Sequence, residues 1–422
     1  MLRLFFRREM MKKLMIAAAL LGLSGSAYAT KARLSALGQN SDDPFYVQDS
    51  RSIFLNAAQI HNYKDSVVME WGNNAGQATA GGLDTASNPK AMGGFLKSSG
   101  SWVYGLHLGN ESNTGVLLRA AGSDTDYAIG GVNNLADADN VVDFFFGGDA
   151  GAMKWGVNFL HASSKNETVN GTGTTESKAD NMAIRLGALA DNWEGYVNLS
   201  LKGEASRPNT ATGTGANAKF DGKLGLHVGG SYDMGANRLV ASYKSIGWDQ
   251  TIGATPVTTE AKYSEIHAGW GHTREVSSST KIITQLSYQI TKIEGKFTTN
   301  PAELTHTVLP VTVGFETRAN DWLMWRGSVS TNVMGSVKDK GLSAASGHFS
   351  NNFRTLLGLR FGTSATSGTT EVKKTIANSA SVNAGATLTF GKLQLDGSIG
   401  TGTGGGAKPG ALNLDTLLTR VG

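Results

Sequence analysis

Cysteine is absent from this 422-residue chain, proline occurs only 7 times, and beyond the first 29 residues no apolar run is long enough to cross a membrane as a helix. The missing cysteines exclude disulfides, thiolate catalysis, Cys-ligated metals and a lipobox anchor. A surplus of either charge is missing too. The formal charge is +4, from 38 basic and 34 acidic residues, but residues 1–29 carry five basic residues and one acidic. Without them the chain holds 33 of each sign. Nothing in that balance points to nucleic acid or to an acidic partner. Glycine, by contrast, is abundant at 55 residues. That is too many for a helical protein, in a chain too regularly patterned for disorder. Glycine suits the tight turns, bends and crowded positions of a sheet.

The N-terminus reads as an export signal. Met10, Met11, Lys12 and Lys13 form a basic start, Leu14 to Leu23 a short apolar stretch, and Ser26-Ala27-Tyr28-Ala29 a small-residue cleavage site. Cleavage after Ala29 leaves Thr30 as the first mature residue. Residues 1–9 are superfluous to this signal, and translation is expected to begin at Met10 or Met11.

The rest of the chain alternates apolar and polar residues with a period of two, the signature of strands. In Lys154–Ala162, Trp155, Val157 and Phe159 share one face, and Lys154, Gly156 and Asn158 the other. From Trp193, Val197, Leu199 and Leu201 oppose Glu194, Asn198, Ser200 and Lys202. From Lys281, Ile282, Leu286, Tyr288 and Ile290 oppose Lys281, Gln285, Ser287 and Gln289. No window sustains a helical stripe. Short turns such as 148–151, 190–192, 234–237, 319–321 and 391–392 alternate with longer polar stretches near 163–177, 204–218, 248–257, 292–303, 336–378 and 401–412. Aromatic residues including Trp102, Trp155, Trp193, Trp270, Trp322, Trp325 and Phe390 gather near strand ends.

An exported chain of this kind, with short turns on one side and long loops on the other, predicts an all-β, transmembrane antiparallel β-barrel in the outer membrane. We count about 16 strands, within a range of 14–18, near 66–72, 91–99, 101–109, 141–148, 152–162, 178–189, 192–203, 219–232, 236–247, 258–271, 279–291, 304–318, 321–335, 380–391, 393–400 and 413–421. Gly115–Ala120 and Phe353–Phe361 are the ambiguous stretches. At the C-terminus Leu417, Thr419 and Val421 share a face, but no terminal aromatic follows, so the closing strand is either cut short or short by design. The domains are then a signal peptide at 1–29, an N-terminal periplasmic or lumen-plugging segment at 30–62, and the barrel at 63–422.

Strand parity gives an inward, pore-lining set: Lys154, Asn158, Arg185, Glu194, Lys202, Lys223, Lys244, Glu265, Gln285, Glu316, Arg318, Arg326 and Asp396. Rings of charge set ion preference in pores. Here both signs interleave, so selectivity should be weak. A register slip would move these assignments together. Other motifs carry no chemistry. Gly400 to Gly405 matches a dinucleotide-loop pattern, but Lys408-Pro409-Gly410 forbids the helix it needs. Asp124, Asp126, Asp137 and Asp139 lack calcium-loop spacing. His267 and His272 face opposite sides of a strand and its turn, and His227 and His267 read as solvated pore residues. No nucleophile–base spacing stands out. Asn166-Glu167-Thr168 and Asn170-Gly171-Thr172 match a glycosylation sequon, which loop composition explains. Neither an enzyme, a cofactor nor a metal site is expected.

Two resemblances add to this reading. The signal peptide, the start Ala32-Arg33-Leu34-Ser35-Ala36-Leu37-Gly38 and the loop pattern resemble the porin-like major outer membrane proteins of Bdellovibrio-type bacteria. That resemblance spans the chain and implies an abundant barrel. The stretch 30–62, with Tyr46, Ile53-Phe54-Leu55 and Asn56-Ala57-Ala58, resembles the N-terminal region of FadL-like transporters, although the Pro of their Asn-Pro-Ala turn is replaced. It implies a segment tucked into the lumen.

The leading expectation is a porin: a passive diffusion channel for ions and small hydrophilic solutes, open because the inward residues are polar and no apolar lumen patch is visible. The alternatives are a FadL-like transporter of hydrophobic compounds and a structural or adhesive surface barrel. Expected partners are outer membrane lipid and lipopolysaccharide, the barrel assembly machinery and small solutes. Oligomeric state, solute and gating are not encoded legibly.

Overall fold

The computed structural model describes residues 31–40, 43–72, 91–110, 140–170, 173–207, 217–253, 257–296, 301–340, 371–375, 380–402 and 420–421. The expected signal peptide, the acidic 121–140 loop up to residue 139, and the ambiguous stretches 115–120 and 353–361 lie outside these residues.

Alternation builds the wall. The strands are β1 (Ser66–Gly72), β2 (Ala91–Ser99), β3 (Trp102–Leu108), β4 (Val142–Ala150), β5 (Met153–Asn170) and β6 (Gly173–Leu189). They continue as β7 (Trp193–Arg207), β8 (Asn217–Gly222), β9 (Gly225–Met234), β10 (Asn237–Gly253), β11 (Val257–Glu275) and β12 (Thr280–Lys296). The last are β13 (Pro301–Asn320), β14 (Leu323–Lys340), β15 (Glu371–Thr375), β16 (Ser381–Phe390), β17 (Leu393–Gly402) and β18 (Arg420–Val421). All belong to one 18-stranded antiparallel sheet. It closes on itself, because Trp71 and Gly72 of β1 pair with Val421 and Arg420 of β18. β8 and β9 both lie between β7 and β10, each covering part of their length. β15 and β16 likewise share the flank of β14. The eighteen segments therefore occupy sixteen wall positions, the number expected from the sequence.

Closure removes sheet edges, and the period of two then separates two faces. Phe95, Tyr104, Phe144, Phe146, Leu239, Ile266, Tyr288, Val313 and Phe315 point outward and stay exposed on the isolated molecule, as a lipid-facing band requires. Among the described residues no helix is long and apolar enough to cross a membrane. The molecule has the fold of an outer membrane β-barrel.

Several expected loops are strand. The stretches 163–177, 248–257 and 292–303 continue the ladders of β5–β6, β10–β11 and β12–β13 almost to their tips. Their Thr, Lys and Glu residues read as loop by polarity. Yet β-branched residues and opposite charges facing across strands stabilise a ladder that has water on both sides. A membrane strand needs about 9–11 residues. β13, at 20 residues, therefore projects well beyond the bilayer.

Two irregularities shift parity. In β7, Met182 of β6 pairs with Lys202 while Ala183 pairs with Ser200, so Leu201 bulges. The interruption between β8 and β9 at 223–224 has the same effect.

The segment 31–65 does not pair with the wall. It holds helix α1 (Lys31–Ala36) and two 3-10 turns, Ser50–Phe54 and Ala57–His61. Helix α1 ends at Gly38, whose φ of +69 suits glycine, with Gln39 N donating to Leu34 O at 2.8 Å and Gly38 N to Ser35 O at 3.0 Å. Most of the segment's described side chains are buried, against inward-facing strand residues.

Candidate functional site: the filled lumen

The first half of the inner segment is bolted by charge. Arg33 bonds Glu316 of β13 through Nε at 2.8 Å and Nη2 at 3.1 Å, and meets Asp49 at 3.3 Å. Burial disfavours the Arg33 charge, but these carboxylates outweigh it and hold the guanidinium above its ordinary pKa. Glu316 also receives Lys281 at 2.9 Å and Arg326 at 2.6 Å, and Arg326 reaches Asp396 at 3.0 Å. Further along, Gln39 donates to Gln285, and Asp43 meets Lys244 at 3.1 Å and His227 at 4.0 Å. Phe45 stacks on His267 with centroids 4.5 Å apart, and Tyr46 places its hydroxyl 3.3 Å from the same imidazole.

The second half is seated by shape. Asp49 caps the first 3-10 turn in a capping box with Ser52. Asn56 caps the second, accepting from Ala58 N at 3.0 Å and donating to Glu194 at 3.1 Å. Gln59 donates to Glu194 at 2.5 Å. The backbone at Ala57–Ala58 lies directly on two glycines. A Cβ on Gly156 would sit 2.3 Å from Ala57 O, and one on Gly187 1.9 Å from Asn56 Oδ1 and 2.6 Å from Ala58 N. Phe54 lies between cations, 4.5 Å from the Arg51 guanidinium carbon and 5.9 Å from that of Arg185, with His107 edge-on at 4.9 Å. Arg51 pairs with Glu70 at 3.4 Å, and Glu70 accepts the backbone N–H of Lys31 at 2.7 Å. Ile53, Phe54, Ile60 and Tyr63 join Leu96, Val103 and Phe145 of the wall in one apolar cluster. At the mouth of the segment Asp65, at φ 61, accepts from Lys97 Nζ at 2.7 Å and from Ser98 Oγ at 2.5 Å. These hydrogen bonds hold its carboxyl down at about 2.

Across the wall, the inner face is tiered. One cross-strand row runs Asn158, Arg185, Asn198, His227, Lys244, Glu265, Thr291, His306. Arg185 donates to Asn158 and, at 2.7 Å, to Asp143. The next inward row toward the long loops is apolar: Ile246, Tyr263, Ile293 and Leu304 pair in succession and are all buried. Trp248 lies one step further, its ring 6.2 Å from Phe220. This corrects the expectation that the lumen offers no apolar patch. The patch escapes sequence reading because its residues come from several strands, each interspersed with polar residues on the same face.

The predicted inward residues separate into three groups. Asn158, Arg185, Glu194, Lys244, Glu265, Gln285, Glu316, Arg326 and Asp396 lie on the inner face; most of them bond the inner segment or one another. Lys154 and Arg318 are exposed beside the short turns. Lys202 and Lys223 are displaced: the β7 bulge and the β8–β9 interruption turn them to the outer wall, where they meet Asp180 at 3.5 Å and Asp249 at 2.8 Å. Arg238 went unpredicted as a site residue, although its strand was read correctly. It bonds Glu194, Asp233 at 2.8 Å and Phe45 O at 2.8 Å. Its even parity, shared with Lys244, was the available signal. His267 is inward, as expected, while His272 stacks on the outward Trp270. Among the described residues no group of three or more His, Asp or Glu could hold a metal ion.

No protein-family model matches the chain, and no curated protein matches it. Solved structures do. A FadL homologue of Pseudomonas aeruginosa is 10% identical, over 93% of this chain and 94% of that one, with a TM-score of 0.40. The toluene transporter TodX of Pseudomonas putida is 10% identical, over 87% and 91%, with a TM-score of 0.32. OmpT, an outer membrane protein of Vibrio cholerae, is 13% identical, over 73% and 92%, with a TM-score of 0.32.

Proposed function

We propose that this chain is an outer membrane channel for hydrophobic compounds, kept closed by its own N-terminal segment. The observation that carries this reading is the apolar row Ile246, Tyr263, Ile293 and Leu304, set directly beyond the level at which Asp43 meets Lys244. A hydrophilic solute gains nothing from such a row. The row is covered in this closed state, so an apolar solute gains from it only once the covering side chains move aside; about 100 Å² then buried would contribute roughly 2.5 kcal/mol, some sixtyfold in local occupancy. Below that level the charges that would draw ions through an open pore are engaged, Glu316 by Arg33, Lys281 and Arg326, and Glu194 by Asn56, Gln59 and Arg238. The open hydrophilic porin expected from the sequence is therefore the less favoured reading.

The test is solute entry into vesicles carrying the full-length protein. A fluorescent-dye reporter for a small aromatic hydrocarbon should respond faster than in protein-free vesicles. Vesicles diluted into an isotonic solution of a neutral trisaccharide should show no added swelling. Rapid sugar entry with no hydrocarbon effect would reject the proposal.

A further inference from the structure

Where the second half of the inner segment meets β1–β4, one imidazole is buried without a counter-charge of its own. His107 of β3 is 5% exposed and stands edge-on to Phe54, with ring centroids 4.9 Å apart. Its Nδ1 is buried and makes no hydrogen bond among the described residues. A small cavity lies beside the ring, where Gly94, its cross-strand partner, carries no side chain. Ile53, Tyr63, Val68, Leu96 and Phe145 line the same cavity, and among the described residues no carboxylate does.

The charges around this ring come from several elements. Lys31 and Arg51 lie on the inner segment, Glu70 on β1, Asp143 on β4 and Arg185 on β6, three cations against two carboxylates. Both carboxylates are engaged. Glu70 meets Arg51 at 3.4 Å and accepts the backbone N–H of Lys31 at 2.7 Å. Asp143, directly opposite His107, meets Arg185 at 2.7 Å. A proton on His107 adds one more cation beside an apolar cavity, and a charge buried without a partner is costly. Once the segment lifts, Ile53, Phe54 and Arg51 leave the ring and water reaches it. A hydrated imidazole takes up its proton at about pH 6.5. The lifted state therefore binds a proton that the seated state resists. Each unit of pH below that value favours lifting by up to about tenfold. The Asp65 latch holds through this range, because its carboxyl is kept down at about 2.

We infer that His107 is an acid-operated release, whose proton uptake lifts the second half of the inner segment from the wall and opens the lumen. The inference rests on the reading that this segment closes the channel. The experiment records open probability in planar bilayers across the acid range for the full-length protein, for His107→Gln and for His107→Phe. The unmodified protein should be nearly silent at neutral pH. From about pH 6.5 to about pH 4.5 its open probability should rise reversibly, by up to roughly a hundredfold. Gln keeps a polar group and Phe keeps the aromatic contact, but neither takes up a proton. Both variants should lose most of the rise, whatever their conductance at neutral pH. Heat-modifiable gel mobility reports that each barrel is folded. Steady conductance of the unmodified protein at every pH would overturn the closing role of the segment and this inference with it. Silence throughout, or opening only below about pH 4 where carboxylates titrate, would overturn this inference alone, even if neither variant folded. Tighter closure in acid, from a proton shared with the unpartnered Oδ2 of Asp143, would overturn it too. So would an unchanged acid response in the folded variants.

Discussion

Replacing Gly187 with alanine should unseat the inner segment without harming the wall. The added Cβ would lie 1.9 Å from Asn56 Oδ1, 2.6 Å from Ala58 N and 2.8 Å from Ala57 N. Asn56 Oδ1 is itself the cap that accepts from Ala58 N, so a rotamer change sacrifices the cap, and the backbone atoms cannot rotate away. Overpacking of this kind costs about 1–3 kcal/mol, and a lost cap about 1 kcal/mol more. A total near 3 kcal/mol raises the unseated fraction by roughly a hundredfold. The wall should tolerate the change, because alanine pairs in strands at least as well as glycine. Gly195→Ala is the control: it lies one strand away, and its Cβ finds no atom closer than 3.7 Å. Planar-bilayer recording should show bursts of conductance for Gly187→Ala and for Gly156→Ala, with Gly195→Ala as quiet as the unmodified protein. Identical records for all three would refute the seating of Ala57–Ala58 on these glycines.

Arg33→Gln should loosen the first half of the segment, because it removes the bonds that tie helix α1 to Glu316 of the wall and to Asp49, while Glu316 keeps Lys281 and Arg326; faster proteolysis between residues 31 and 49 in folded protein is the readout. Val313→Lys, on the outward face of β13, should cost about 2–4 kcal/mol in lipid if it lies at the bilayer midplane, measured by reversible unfolding in urea, whereas the same change at half-buried Thr317, near the turn, should cost much less. The pH dependence of the Asp65 latch follows from its depressed pKa. Its contribution is complete above the ordinary carboxylate range and disappears as pH falls through about 2. Asp65→Asn, which tolerates the same left-handed backbone, should remove that acid-sensitive part while leaving the neutral-pH fold intact, as read by acid unfolding followed by circular dichroism.

The wall was legible because a lipid-facing strand needs an apolar residue at every second position. Phe144, Phe146, Val157 and Phe159 announce that in the sequence. Sixteen positions and a closing β18 follow from it. The projecting ladders were not legible, since Thr168, Thr174 and Thr175 carry no core-facing alternation and read as loop. Lys202 and Lys223 were misplaced for a different reason. A single bulged residue, Leu201, reverses parity without leaving a mark in composition. The inner segment offered only hints. Asn56-Ala57-Ala58 was visible as a turn, but its seat depends on Gly156 and Gly187, some hundred residues distant in sequence. Close approach of two backbones explains those glycines, and no local pattern distinguishes them from the many others.

The claim at the centre is that residues 31–62 close the lumen. Single-channel conductance of the full-length protein, against a variant lacking residues 31–62, tests it most directly. The full-length protein should be nearly silent in salt solution. The deletion should open a steady aqueous conductance, because a barrel of sixteen wall positions is wide enough to hold water once the packed segment is gone. Equal, sustained conductance from both proteins would contradict the account.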